Sequence, residues 1–135
     1  MEIQLNNLER FLACGISDDS NWHAAELKGL WESIGDEKAW DFAVKNGAES
    51  IVGNALSSIL GVDLPGRWSE AMMAIDSRLS LYMEQLDRVA AALFEHDIQL
   101  VALKNSGIAR GIYPMLSGNP MGDIDVLVSK QRFRE

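Results

Sequence analysis

The sequence predicts an α+β protein in which an N-terminal helical bundle with one long helix precedes the first β-α-β elements of a mixed sheet. Three observations support this prediction. Apolar residues recur at helical spacing, between capping residues and glycines, over most of the first hundred positions. A heptad repeat then runs from Trp68 to Leu93. After Ile98 the pattern changes to short apolar, β-branched runs separated by turn residues, which is typical of strands.

Four short helices are predicted in the first 65 residues. The first spans about residues 2–13 and the fourth about residues 49–60. The second follows candidate caps at Asp18, Asp19 and Ser20 and runs through Ile34, and the third lies between Asp36 and the pair Asn46-Gly47. The predicted stops are Gly15, Gly35, Gly47 and Gly61, because glycine adopts the left-handed backbone that ends many helices. Asp36 is the predicted cap of the third helix, since a carboxylate can accept from the free amides of a first turn.

The long helix is predicted from about Trp68 to His96. Its heptad seam consists of Trp68, Met72, Ile75, Leu79, Tyr82, Leu86, Val89 and Leu93. Such a seam packs against another helix, and we expect helices of the same chain rather than a coiled-coil partner. The chain thus divides into a helical region (1–65), the long helix (66–97) and the start of an α/β core (98–135).

Composition narrows the class of function. The net charge of −8 argues against general nucleic-acid binding, and no apolar run approaches the roughly 20 residues that span a membrane. The charge is uneven: residues 1–100 hold 7 basic and 17 acidic side chains, whereas residues 101–135 hold 5 basic and 3 acidic ones. Only the second segment suits a phosphate-rich ligand. The N-terminus lacks a signal-peptide pattern and Cys14 is the only cysteine, so we expect a reducing, cytoplasmic location.

The paired aspartates Asp123 and Asp125 are the most informative feature of the chain. They stand two apart in an apolar run, so in a strand both side chains point to the same face. Two neighbouring carboxylates repel each other unless a cation lies between them, and hard cations such as Mg²⁺ take oxygen ligands. The sequence therefore predicts a site for Mg²⁺ or Mn²⁺ held by Asp123 and Asp125.

A candidate phosphate site precedes these aspartates. Lys104, Asn105 and Ser106 follow a predicted strand and precede a predicted helix, so turn amides, a hydroxyl and a positive charge come together. Neither the aspartate pair nor the polar turn is a specific signal by itself, because Asp-x-Asp runs and polar turns are common. Basic residues also often flank strand ends. Together they suit phosphoryl or nucleotidyl transfer, in which a metal ion bridges the phosphate oxygens.

Other candidates for chemistry are weak. We interpret Cys14 as a small buried apolar residue. His23 and His96 have no cysteine or carboxylate cluster at metal-ligand spacing along the sequence, so we predict no ligand role for either.

Three stretches resemble a known family. Residues 101–104, residues 112–114 and residues 120–128, which read Pro-Met-Gly-Asp-Ile-Asp-Val-Leu-Val, are similar to the signature of the uncharacterised bacterial nucleotidyltransferases of the polymerase-β-like superfamily. The spacing from the Tyr-Pro pair to the aspartates matches without a gap. The preceding helices are also similar to that family's N-terminal region, so the resemblance covers nearly the whole chain.

The resemblance implies a function and a site. Asp123 and Asp125 would bind Mg²⁺ as the catalytic carboxylates, Ser106 would lie in the triphosphate-binding turn, and Lys104 and Asn105 would lie beside it. Asn105 stands where the family has glycine, and Asn119 where it has arginine. The expected activity is transfer of a nucleoside monophosphate from a nucleoside triphosphate to an unidentified acceptor. The alternative is a non-catalytic helical interaction module with a vestigial nucleotide and metal site.

The superfamily also uses a third carboxylate on a later strand. We therefore expect these 135 residues to be either the N-terminal portion of a longer enzyme or a split or degenerate relative, which binds Mg²⁺ weakly and does not turn over nucleotide by itself. Two strands leave unpaired sheet edges. An exposed edge or the heptad helix would offer a route to homo-oligomers.

Overall fold

The computed structural model describes residues 4–17, 20–109, 111 and 115–129, which form six α-helices and a two-stranded sheet. The predicted α+β class is confirmed. The chain divides into two compact units, Met1–Met73 and Ala74–Glu135, each with its own hydrophobic core. None of the described helices has the length and apolar character needed to cross a bilayer.

The first unit is helical. It contains α1 (Asn7–Ile16), α2 (Ser20–Ile34), α3 (Asp36–Lys45), α4 (Glu49–Leu60), a 3-10 turn (Gly61–Asp63) and the beginning of α5 (Gly66–Phe94). The predicted stops at Gly35, Gly47 and Gly61 are confirmed, and all three glycines have positive φ angles of 83°, 63° and 54°. Asp18 and Asp19, two of the residues that the sequence offers as caps of the second helix, lie outside the described residues.

The start and end of α1 differ from the prediction. The side-chain oxygen of Asn6 caps the helix by accepting from the backbone amides of Leu8 and Glu9. The Glu9 carboxylate in turn accepts from the backbone amide of Asn6. Gly15 does not end the helix but lies inside it and is buried. A Cβ there would come within 2.9 Å of the Val52 side chain, so glycine permits close packing of α1 on α4.

The core of the first unit draws on all five helices. Its largest fully buried side chains include Phe11, Leu27, Val52, Leu56 and Trp68. Because Trp68 belongs to the first turn of α5, the beginning of the long helix is an integral part of this helical core.

The second unit contains the rest of α5, the strands β1 (Leu100–Ala102) and β2 (Val126–Val128), the short helix α6 (Lys104–Ile108) and a 3-10 turn (Leu116–Gly118). The strands pair antiparallel, with Val101 opposite Leu127. Two local predictions are corrected. The aspartates lie immediately before β2 rather than within it, and the segment predicted as a turn after β1 forms α6 itself.

The heptad seam of α5 packs against helices of the same chain, as predicted, at its beginning, where Trp68 belongs to the helical core, but not in the second unit. In the second unit its buried residues Leu79 and Leu86 cluster with side chains of β1, of the end of α6 and of the segment that leads into β2. Val89 on the same seam is 50% exposed. A regular heptad therefore serves here as one wall of an α/β core, because any apolar surface of matching shape can cover it.

Candidate functional site

The connection from β1 to α6 makes a sharp turn at Lys104. Leu103 is extended, whereas Lys104 has a φ angle of 49°, in the left-handed region that a lysine seldom occupies. This backbone places Lys104 at the first position of α6, next to the end of the strand. Such strained positions persist only where the surrounding structure holds them.

Ser106 provides part of that restraint. It is 4% exposed, and its hydroxyl lies 2.5 Å from the carbonyl oxygen of Leu103 and 3.0 Å from that of Asp125. The Leu103 amide also donates to the Asp125 carbonyl oxygen at 2.9 Å, which extends the strand pairing by one bond. The buried hydroxyl thus joins the β1–α6 turn to the peptide that carries Asp125.

Lys104 and Asp125 form the central ion pair of the site. Lys104 Nζ lies 2.7 Å from Asp125 Oδ2, and the side chains are 74% and 37% exposed. The hydrogen bond to Asp125, then the charge of that carboxylate and, to a smaller extent, the charge of Asp123, raise the pKa of Lys104 despite slight desolvation. The ammonium is therefore protonated at neutral pH and offsets one of the two carboxylate charges.

All five residues predicted for the site line one cleft. Its volume is about 70 Å³, and its walls are Leu103, Lys104, Asn105, Ser106, Asp123 and Asp125. The two positions that depart from the family pattern also meet, because the Asn119 side chain donates to the Asn105 carbonyl oxygen across 3.5 Å. The cleft combines two carboxylates with one ammonium, a set that can hold a divalent cation and a phosphate group.

Two residues of α5 support the aspartate loop, and the sequence pattern did not identify them as site residues. Asp76 Oδ1 accepts from the Ser117 amide at 2.6 Å, and the Tyr82 hydroxyl donates to the Gly122 carbonyl oxygen at 3.3 Å. Both bonds hold the loop that leads into Asp123. Tyr82 was visible in the sequence only as an apolar seam position, since partners 40 residues away leave no local signal.

Gly107 sets the distance between α6 and β1. A Cβ at this position would lie 2.7 Å from the carbonyl oxygen of Ala102, closer than real side chains approach such an atom. Glycine is therefore required for α6 to pack on the end of β1. In the sequence Gly107 only follows the polar residues Lys104, Asn105 and Ser106, and nothing local indicates this contact.

Comparison with known proteins identifies the family of the chain. The profile of a family described as uncharacterised nucleotidyltransferase matches residues 32–135, which include every residue of the cleft. Neither the search of curated proteins nor that of solved structures finds a match to the chain. Since the profile covers most of the chain and its polar cleft has the predicted residues, this protein belongs to the uncharacterised nucleotidyltransferase family.

Proposed function

We propose that the cleft binds a nucleoside triphosphate together with Mg²⁺ or Mn²⁺, for transfer of a nucleoside monophosphate to an acceptor. The observation that carries the proposal is the convergence of Asp123, Asp125 and Lys104 on one cleft in a nucleotidyltransferase-family chain. In this reaction an acceptor oxygen attacks the α-phosphorus and pyrophosphate leaves. A cytoplasmic location, where triphosphates and Mg²⁺ are plentiful, fits this function.

The donor set fits a hard cation. Asp123 and Asp125 would hold the metal, because carboxylate oxygens are the ligands that Mg²⁺ prefers, and this ion commonly uses one or two carboxylates plus substrate phosphates. A bound ion supplies neutralisation of the phosphate charge and polarisation of the phosphoryl group. Ser106 contributes by fixing the backbone of Asp125, which pre-positions one of the two ligands.

Lys104 is suited to respond to the substrate. Its ammonium bonds to Asp125 Oδ2, an oxygen that a metal ion would also use. The side chain is mostly exposed on a flexible stem, so it can exchange the carboxylate for a phosphate oxygen. The 70 Å³ cleft is smaller than a typical ligand pocket of about 300–1,000 Å³, so it suits phosphate and metal rather than the base and sugar.

The first prediction concerns the two carboxylates. Asp123→Asn and Asp125→Asn are each expected to weaken Mn²⁺ binding roughly tenfold or more, because each removes a charged ligand oxygen. Bound Mn²⁺ is counted by electron paramagnetic resonance, and metal-dependent triphosphate binding by calorimetry. Asp97→Asn is the matched control, since Asp97 is exposed and asparagine tolerates its left-handed backbone.

Metal-independent nucleotide binding, or equal binding in parent and aspartate variants, would contradict the proposal and favour the interaction-module alternative. Transfer is then measured with the natural gene product that carries these residues. Label from an α-labelled triphosphate should reach an acceptor in cell extract, label from a γ-labelled one should not, and Asp123→Asn should abolish the transfer.

The second prediction is that replacing Lys104 changes the affinity for two ligands in opposite directions. Lys104→Gln is expected to bind Mn²⁺ alone roughly twofold to fivefold tighter, because the competing ammonium is gone. The same variant should bind the metal–triphosphate complex roughly tenfold more weakly, because a charged phosphate contact is lost. Arg88→Gln, which removes an exposed cation from α5, is the control. Changes of the same sign for both ligands would show that Lys104 does not exchange partners.

A further inference from the structure

A second group of metal-ligating side chains lies in the helical unit. Cys14, His23 and Glu26 each offer a ligand atom, and these atoms all lie within 4.8 Å of one another. This cluster around His23 is visible only in the folded chain and not along the sequence. The packing of α1 against α2 brings the cysteine beside the histidine, although nine positions separate them in the sequence.

The spacing of these atoms is close to that of a tetrahedral metal site. His23 and Glu26 stand three apart on α2 and therefore share a face, with His23 Nδ1 3.8 Å from Glu26 Oε2. Metal–ligand bonds of about 2.0–2.3 Å place the ligand atoms of one tetrahedral zinc roughly 3.3–3.8 Å apart. A side-chain adjustment of about an ångström brings the Cys14 sulfur into the same range.

The structure also contains space for an ion at this point. A small cavity of about 20 Å³ is lined by Cys14 and His23, with Leu27, Ala55 and Ile59 among its other walls. A cavity of this size holds about one water molecule or one ion. Ser17 and Ser58 are polar walls of this cavity and most of the others are apolar, whereas Glu26 lies outside its lining. The side chains of His23 and Glu26 are partly exposed.

Arg10 completes the surroundings. Its guanidinium donates to Glu26 Oε1, and Glu26 Oε2 is the oxygen that faces His23. This hydrogen bond is the main reason that the pKa of Glu26 is lowered, so the carboxylate is ionised at neutral pH. Metal-bound carboxylates commonly have such an outer hydrogen-bond donor, which fixes their orientation.

We propose that Cys14 Sγ, His23 Nδ1 and Glu26 Oε2 form a site for a borderline-soft divalent metal, Zn²⁺ above all, with water as the fourth ligand. Thiolate and imidazole favour Zn²⁺ over Mg²⁺, whereas the all-oxygen pair Asp123 and Asp125 has the reverse preference. The chain thus has two metal sites of different selectivity. The zinc site links α1 to α2 and stabilises the helical unit.

Cobalt spectroscopy on the full chain tests the proposal. The reduced protein is freed of metal with a chelator and titrated with Co²⁺. A thiolate-to-cobalt charge-transfer band should appear at one equivalent, disappear on addition of Zn²⁺ and resist excess Mg²⁺. Cys14→Ser and His23→Gln should lose the band, while His96→Gln and Asp123→Asn should keep it, which separates this site from the proposed catalytic metal.

Thermal unfolding gives an independent measure. At about a hundredfold excess over its dissociation constant, Zn²⁺ should raise the Tm of the parent by on the order of 5–10 °C. His23→Gln, which changes a partly exposed side chain, should unfold at the metal-free temperature of the parent and should not respond to Zn²⁺. A missing charge-transfer band, a band retained in both Cys14→Ser and His23→Gln, or an equal Zn²⁺ response in parent and variant would overturn the proposal.

Discussion

Replacing Gly107 by alanine is expected to destabilise the second compact unit by about 2–3 kcal/mol, as overpacking does in a well-filled interior. The new Cβ would lie 2.7 Å from the Ala102 carbonyl oxygen, a backbone atom that cannot rotate away. Alanine normally stabilises a helix relative to glycine by up to about 1 kcal/mol, and Gly107 belongs to α6. The sign of the effect therefore tests whether α6 packs against the end of β1.

Hydrogen exchange provides the measurement, since the Leu103 amide donates to Asp125 at the edge of the site. Exchange at this amide should accelerate in Gly107→Ala together with that of β1 and β2, and metal-dependent nucleotide binding should weaken. Gly111→Ala is the matched control, because its Cβ would meet nothing nearer than the Ile108 carbonyl oxygen at 3.9 Å. Unchanged or slower exchange in Gly107→Ala would show that the close approach does not exist in solution.

The helical part of the fold was predictable because its signals are local. Glycines at positions 35, 47 and 61 end helices through their own positive φ angles, and these stops need no information from elsewhere in the chain. Gly15 has the same residue type but a different role, since its place against Val52 is a tertiary contact. The sequence alone does not distinguish these two uses of glycine.

The candidate site also contains residues that the sequence predicted and residues that it did not. Lys104, Asp123 and Asp125 were predicted from residue chemistry and order, and the structure places them around one cleft. Asp76 and Tyr82, which hold the loop before Asp123, were not predicted, because each bonds to backbone atoms about 40 residues away. Backbone partners carry no residue-type signal, so such supports become visible only in the folded chain.

Asp36 lies at the start of α3, as expected, but its predicted role as the helix cap is wrong. It was predicted as the cap of α3, but Gly35 occupies the N-cap position and makes no side-chain hydrogen bond there. The Asp36 carboxylate instead accepts from the indole N–H of Trp68 at 2.7 Å and of Trp31 at 3.2 Å, and from the Arg67 guanidinium. It thereby satisfies the indole of Trp68, which is fully buried.

Asp36→Ala is accordingly expected to lower the free energy of unfolding of the helical unit by about 2–4 kcal/mol. The loss leaves the buried N–H of Trp68 without its acceptor and removes the partner of Arg67, which also lies over the ring of Trp40 at 5.4 Å. Urea unfolding followed by tryptophan fluorescence measures the change. Glu37→Ala is the control, because Glu37 is an exposed acid of the same first turn, and its loss should cost less than about 1 kcal/mol.

The contribution of Asp36 to the free energy of unfolding should also depend on pH. The surroundings of the carboxylate decide whether this contribution is lost in acid or in base. Burial, the largest single influence, raises the pKa of Asp36, but the hydrogen bonds from Trp68, Arg67 and Trp31 together outweigh it and hold the pKa below its ordinary value of 3.8. A carboxyl group whose pKa is lower in the folded state stabilises the fold above its unfolded pKa and loses that contribution as the pH falls through its folded pKa. The difference in unfolding free energy between the parent and Asp36→Asn should therefore be constant at neutral pH and should shrink below pH 3.8. A difference that stays constant down to the acid limit of folding would show that the charge of Asp36 contributes nothing, and that its hydrogen bonds act as those of a neutral acceptor.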